Sequence, residues 1–308
     1  MTDTALHGTV TSAGKDLVWV RLDDGTAVTA LVRKKSAQTQ ADALVPGDRV
    51  GLEPLEASGA ESAAYAIGER LERRSEMRRY ARGRERAVAA NLDDVVIVQA
   101  LTRPTLDDVF VDTAIASAAR DELETVLVVT KIDLADDEER ERVRRRYAKA
   151  LRRVCFLNGK SGEGVPEFID AVRGRVAALV GPSGVGKSTL WNAAGGFGRV
   201  GDVSKHGYGR HTTTMAQALS FEGGLLFDLP GVARYANDFD EEMIRASFSE
   251  FEAYAPRCFF RDCKHFGEPK CAVRAAVEQG AIDPDRYAAY RRLAALAAEN
   301  ESRRPSWG

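Results

Sequence analysis

Residues 175–189, RVAALVGPSGVGKST, decide how the middle of the chain is read. The apolar run up to Val180 indicates a buried strand, and STLWNAAG (188–195) has the spacing of a helix. Between them lies a complete G-x-x-x-x-G-K-[ST] loop, in the strand–loop–helix context that binds phosphate. Gly184 and Gly186 let the backbone curl so that its N–H groups point inward at phosphate oxygens. The helix that begins near Lys187 adds the partial positive charge of its N-terminus. Gly181, Pro182, Ser183, Gly184, Val185, Gly186, Lys187, Ser188 and Thr189 therefore form the candidate phosphate site. Lys187 is placed to reach the β/γ-phosphates, and Ser188 to ligate Mg²⁺.

Further along, DLPG (228–231) follows the apolar run GGLLF, about forty residues after Lys187. Asp228, at the end of such a strand, can hold Mg²⁺ opposite Ser188, and the Gly231 N–H can sense the γ-phosphate. Between the two motifs, GRHTTT (209–214) lies in a polar, glycine-rich stretch. One of its threonines, Thr213, is the candidate to complete the magnesium shell while the γ-phosphate is present.

Upstream, TKID (130–133) closes the strand ETVLVVT and resembles the N-K-x-D guanine motif of GTPases. A carboxylate at Asp133 accepts two hydrogen bonds from guanine N1–H and N2–H₂, a pair that adenine cannot donate. The Lys131 stem packs along the nucleotide, and Ile132 lies between the two. Thr130 departs from the usual Asn: it offers a hydroxyl but no amide. TKID precedes the phosphate loop by about 50 residues, the reverse of the usual order. A site built at strand ends tolerates this, because strand ends converge whatever order the chain visits them in. Strands at 94–99, 124–130, 153–157 and 175–180 alternate with helices at 106–120, 136–151 and 165–172, the pattern of a mostly parallel sheet covered by helices.

The flanks read differently. Strands at 16–22 and 26–32 bracket the turn Asp23-Asp24-Gly25, and 45–54 offers another turn and strand. This predicts a small β-barrel of OB type over 1–68. Residues 69–90 are expected as an Arg-rich linker: eight arginines and four glutamates lie between 69 and 86, either solvated or contacting phosphates. The α/β domain is assigned to 91–237. From 238 to 308 a helical domain is expected, with helices at 241–254, 271–279 and 284–300. Within it Cys258, Cys263, His265 and Cys271 fall inside 14 residues, in a chain with four Cys and four His. Three thiolates and one imidazole suit tetrahedral Zn²⁺. Phe259, Phe260 and Phe266 beside them either stack bases or form the small core of this lobe.

The 308 residues carry 44 Lys+Arg against 46 Asp+Glu, so any polyanion-binding surface is local. No apolar run reaches the roughly 18 residues of a membrane span, and MTDTALHG lacks the form of a signal peptide. The cysteines are too few for a disulfide scaffold, which points to a reducing compartment.

Taken in order, TKID, GPSGVGKST, GRHTTT, DLPG and CFFRDCKHFGEPKCAV (258–273) resemble the ribosome small-subunit-dependent GTPase A family, over essentially the whole chain. The resemblance implies an OB-type barrel, a circularly permuted GTPase domain and a helical zinc-binding domain. It also implies GTP hydrolysis stimulated by the 30S subunit, late in that subunit's maturation, with the barrel and zinc domain on 16S rRNA. One structural Zn²⁺, Mg²⁺ with GTP, and a cytoplasmic monomer follow from it. Thr130, Lys131 and Asp133 are carried over for guanine, the 181–189 loop for phosphates, and Cys258, Cys263, His265 and Cys271 for zinc. Val232 stands where many GTPases place a catalytic Gln, so His211 joins Lys187 as a candidate catalytic residue, as the group that positions water. The family's guanine-backing segment falls near 158–161, where Asn-Gly-Lys-Ser does not match and no residue is assigned. The competing reading is an RNA-binding zinc protein that senses GTP with incidental hydrolysis. A P-loop kinase or ATPase is disfavoured by TKID.

Overall fold

The computed structural model describes residues 6–14, 16–32, 43–55, 64–81, 84–195, 216–221, 223–229, 235 and 240–303. Strands β1 (Leu6–Ala13), β2 (Leu17–Leu22), β3 (Ala27–Leu31), β4 (Arg49–Pro54) and β5 (Tyr65–Arg70) close into a barrel in the order β1-β2-β3-β5-β4. Alternation along LVWVRL sends Val18, Val20 and Leu22 inward, where they meet Val10, Val50 and Ile67. The barrel ends at Arg70, just past the expected edge at 68, because Glu69 and Arg70 pair with Gly51 and Val50.

The expected linker is a correction. Residues 69–90 hold an antiparallel hairpin of β6 (Glu76–Ala81) and β7 (Arg84–Ala90). Met77 and Ala89 are buried in the core of the next domain, and this anchors the hairpin. Part of the arginine charge is used internally. Arg73 is bonded to the buried Asp48 and to Glu76, and Arg74 to Asp93.

A six-stranded sheet follows, built from β8 (Asp94–Ala100), β9 (Glu124–Thr130), β10 (Arg153–Leu157), β11 (Val176–Val180), β12 (Gln217–Phe221) and β13 (Gly224–Asp228). Its order is β10-β9-β8-β11-β13-β12, with every pairing parallel except that of the edge strand β12. Apolar residues on both sides of each strand require cover on both faces. Val95, Ile97, Leu127 and Val129 face α1 (Asp108–Arg120), α2 (Asp137–Tyr147) and the hairpin. Val96, Val98, Val126 and Val128 face α3 (Val165–Val172) and α4 (Lys187–Ala193).

The C-terminal lobe comprises α5 (Glu241–Ser247), α6 (Ala272–Glu278), α7 (Pro284–Arg303) and two short 3₁₀ turns. The helix expected over 241–254 stops at Ser247, because Phe248 and Phe251 turn inward onto Tyr290. A buried ionic cluster joins the lobe to the sheet domain. Arg286 of α7 donates to Asp112 of α1 and to Glu250, each at 2.7 Å, and Arg146 of α2 donates to Asp112 at 2.9 Å. Buried charges persist only when paired in this way, so the cluster fixes the lobe against α1 and α2. Among the described residues no helix is long and apolar enough to cross a membrane.

Candidate nucleotide site and metal centre

The parallel strands deliver their C-terminal ends to one edge of the sheet, where open α/β sheets bind ligands. Thr130 ends β9, residue 158 follows β10, the phosphate loop follows β11, and Asp228 ends β13. Motifs separated along the chain thus meet, and the strand order brings β8 and β9 beside β11 although they precede it in sequence.

Thr130 acts on the loop. Its hydroxyl donates to the Val185 carbonyl at 2.5 Å, with the Gln99 carbonyl at 3.3 Å. Gly186, at φ +100°, passes so close that a Cβ there would lie 3.2 Å from the Thr130 hydroxyl. At Gly181 a Cβ would come within 2.4 Å of the Val98 carbonyl, so the loop can leave β11 here only as glycine. Lys131 takes a left-handed conformation, and its ammonium donates to the Gly184 carbonyl at 2.8 Å and to that of Arg103. TKID therefore grips the phosphate loop through two side chains. Ile132 is buried, while Asp133 is exposed and its carboxylate has no protein partner among the described residues.

Lys187 donates to the carbonyls of Gly181 and Pro182 at 2.8 and 2.6 Å. Burial pulls its ammonium below the usual lysine range, opposed by the Asp228 carboxylate. Burial likewise pushes the Asp228 carboxyl up, opposed by Lys187. Ser183, Ser188 and Thr189 are exposed. The unassigned 158–161 segment also joins the site. A Cβ on Gly159 would lie 2.7 Å from the Thr189 methyl, and the Asn158 side chain accepts the Lys160 N–H at 2.9 Å. His211, Thr213, Gly231 and Val232 lie outside the described residues.

Sequence reasoning missed two connections. One is the Thr130 brace. The other is Tyr235, fully buried beyond DLPG, whose hydroxyl donates to Asp121 at 3.1 Å and whose carbonyl accepts from Ser117 at 3.1 Å. Asp121 also accepts the Arg78 N–H at 2.9 Å, so the segment after DLPG and the Arg-rich hairpin share one carboxylate. Neither partner is near in sequence, and no local signal announces them.

In the C-terminal lobe the ligand atoms of Cys258, Cys263, His265 and Cys271 all lie within 4.8 Å of one another. Nδ1 of His265 is 3.6 Å from the Cys258 sulfur and 3.5 Å from that of Cys271. Tetrahedral zinc bonded to sulfur and nitrogen at its usual lengths sets these separations at roughly 3.6 Å, so the donor set fits one such ion. Burial and the nearby Arg245 charge lower the His265 pKa and keep its imidazole neutral, as a ligand requires. Burial pushes the Cys263 thiol up to about 12. Burial opposes ionisation of Cys258 as well, but N–H groups of Ala272 and Val273 hold its thiol below the usual value. Next to the cluster Phe259 (66% exposed) and Phe260 (42%) face outward, with Lys270 over the Phe259 ring, while Phe266 packs on Tyr290.

Comparison with known proteins gives a consistent result. A family model for the RsgA GTPase matches residues 70–237. The small ribosomal subunit biogenesis GTPase RsgA of Chlorobaculum parvum is 35% identical over 298 residues, covering 92% of this chain and 96% of that protein. The protein of the same name from Dickeya dadantii is 39% identical over 227 residues, covering 70% and 65%. The crystal structure of YjeQ from Thermotoga maritima superposes with a TM-score of 0.74 at 30% identity, over 95% of this chain and 98% of that one. YloQ, described as a circularly permuted GTPase, shares the fold with a TM-score of 0.73 at 22% identity, over 99% and 98%. A phosphate loop, a displaced TKID and a Cys₃His lobe on one permuted sheet, matched over nearly the full length, have one explanation: the chain belongs to the RsgA GTPase family and is a GTP-hydrolysing enzyme.

Proposed function

We propose that this GTPase acts in the late maturation of the small ribosomal subunit, that 30S subunits stimulate its turnover, and that its barrel and zinc lobe contact 16S rRNA. The observation that carries this reading is the combination, in a single chain, of one nucleotide edge with a barrel and an aromatic-tipped Cys₃His cluster that Arg257, Arg261, Lys264, Lys270 and Arg274 surround. The near full-length relatives are named for biogenesis of that subunit. A cytoplasmic monomer fits this role.

Asp133 reads guanine, with Thr130 and Lys131 holding the phosphate loop against it. Lys187 exchanges its loop carbonyls for the β- and γ-phosphates and compensates their charge as the bond to the leaving group breaks. Ser188, Thr213 and Asp228 are the residues that would hold Mg²⁺, which supplies further charge compensation when bound. Val232 has no group to orient water. His211 supplies a neutral imidazole that accepts a hydrogen bond from the attacking water. Cys258, Cys263, His265 and Cys271 hold one structural zinc ion, and Phe259 and Phe260 present stacking faces to unpaired bases.

Steady-state GTP turnover with 30S subunits, 50S subunits and neither tests the proposal. The expected result is slow turnover alone, strong stimulation by 30S and none by 50S. Equal rates in all three would favour the RNA-binding protein with incidental hydrolysis.

A further inference from the structure

The Asp133 carboxylate has no side-chain or backbone partner among the described residues, so the backbone of the 3₁₀ turn Ile132–Leu134 alone sets where its Cα–Cβ bond points. Three contacts hold that turn. The Ile132 side chain is buried, and Lys131 is tied to the Gly184 carbonyl. The third contact comes from outside every motif. Arg140, in the first turns of α2, reaches back and its Nη2 donates to the Ile132 carbonyl at 2.6 Å. That carbonyl belongs to the planar peptide unit whose nitrogen is Asp133's own, so the guanidinium fixes the plane from which the Asp133 side chain departs. The turn's own bond to this oxygen, from the Ala135 N–H, is longer at 3.3 Å. Asp136 caps α2 by accepting the Glu139 N–H at 2.8 Å, which places Arg140 relative to the turn. The remaining contacts of the guanidinium are weak. Nη1 lies 3.5 Å from Asp137, whose side chain is 98% exposed, and Nε is buried without a partner among the described residues.

We infer that Arg140 is a positioning residue for guanine selectivity, acting through the Ile132 carbonyl to aim the Asp133 carboxylate; this rests on the reading of Asp133 given above. Guanine offers that carboxylate N1–H and N2–H₂ together. Hypoxanthine offers N1–H alone. The preference for GDP over IDP therefore measures the second hydrogen bond, which only an aligned carboxylate can accept. A carboxylate whose Cα–Cβ bond is displaced keeps one bond and loses the pair.

The test measures GDP and IDP affinities of the full chain carrying Arg140→Met, Arg140→Lys or Asp133→Asn, with thermal melting as the control for folding. Methionine keeps the aliphatic stem and removes the donors, and lysine restores one donor. For a folded Arg140→Met protein, GDP affinity is expected to fall about tenfold and the GDP/IDP preference about fivefold, with most of the preference recovered in Arg140→Lys. A purely structural role would lower both affinities together. An unchanged GDP/IDP ratio in Arg140→Met, or no recovery in Arg140→Lys, overturns the positioning role and leaves the Asp133 reading standing. Asp133→Asn should exchange GDP preference for XDP, and persistence of GDP preference there overturns both.

Discussion

The four residues that could hold a metal ion lie within one stretch, 258–271, whereas the candidate nucleotide site draws on the ends of β9, β10, β11 and β13, from Thr130 to Asp228. The first is local in sequence, and α5 and α7 hold its loop: Arg245 donates to the Cys263 carbonyl, Tyr290 to that of Lys264 and Tyr287 to that of His265. The second exists only when the sheet does. It is therefore indifferent to the order of its motifs along the chain, but dependent on contacts that tie one strand end to the next. Thr130 on Val185, Lys131 on Gly184 and Gly159 on Thr189 are such contacts.

The largest effect that tests this contrast is expected from Cys263→Ala. Thiolate–zinc bonding supplies about 10–16 kcal/mol in small zinc peptides, and Cys263 and Cys271 are themselves part of the lobe's buried core, so the substitution acts on both. Elemental analysis should find the zinc lost, and hydrogen exchange should rise across 258–271. GDP affinity should stay within about twofold, as expected for a change remote from the nucleotide edge. A parallel loss of GDP binding would mean the two regions fold as one.

A smaller effect is expected from Thr130→Val, which keeps the shape and removes the hydroxyl. The Val185 carbonyl then lacks a buried donor, at about 1–3 kcal/mol. GDP affinity measured by titration should fall about tenfold, with metal content unchanged. Undiminished affinity would show that the brace does not preorganise the loop.

The same contrast explains what the sequence could disclose. The phosphate loop, TKID and the Cys₃His cluster are contiguous, and their chemistry is written in neighbouring residues. The Thr130 brace spans 55 residues and the Tyr235–Asp121 bond 114, so neither has a local signature. Charge hid the hairpin: among eight arginines, the buried Met77 and Ala89 that dock it gave too short an apolar pattern to read as strands. Helical propensity ran past Ser247, where the demand to bury Phe248 and Phe251 against Tyr290 prevailed over it.

Segments far apart in sequence meet at one nucleotide edge, separate from the Cys₃His cluster. Hydrogen exchange of the full chain with and without saturating GDP tests it directly. Protection should appear together at 130–133, 158–161 and 181–189, with 258–271 unchanged. Protection confined to 181–189, with 130–133 and 158–161 exchanging as before, would contradict it.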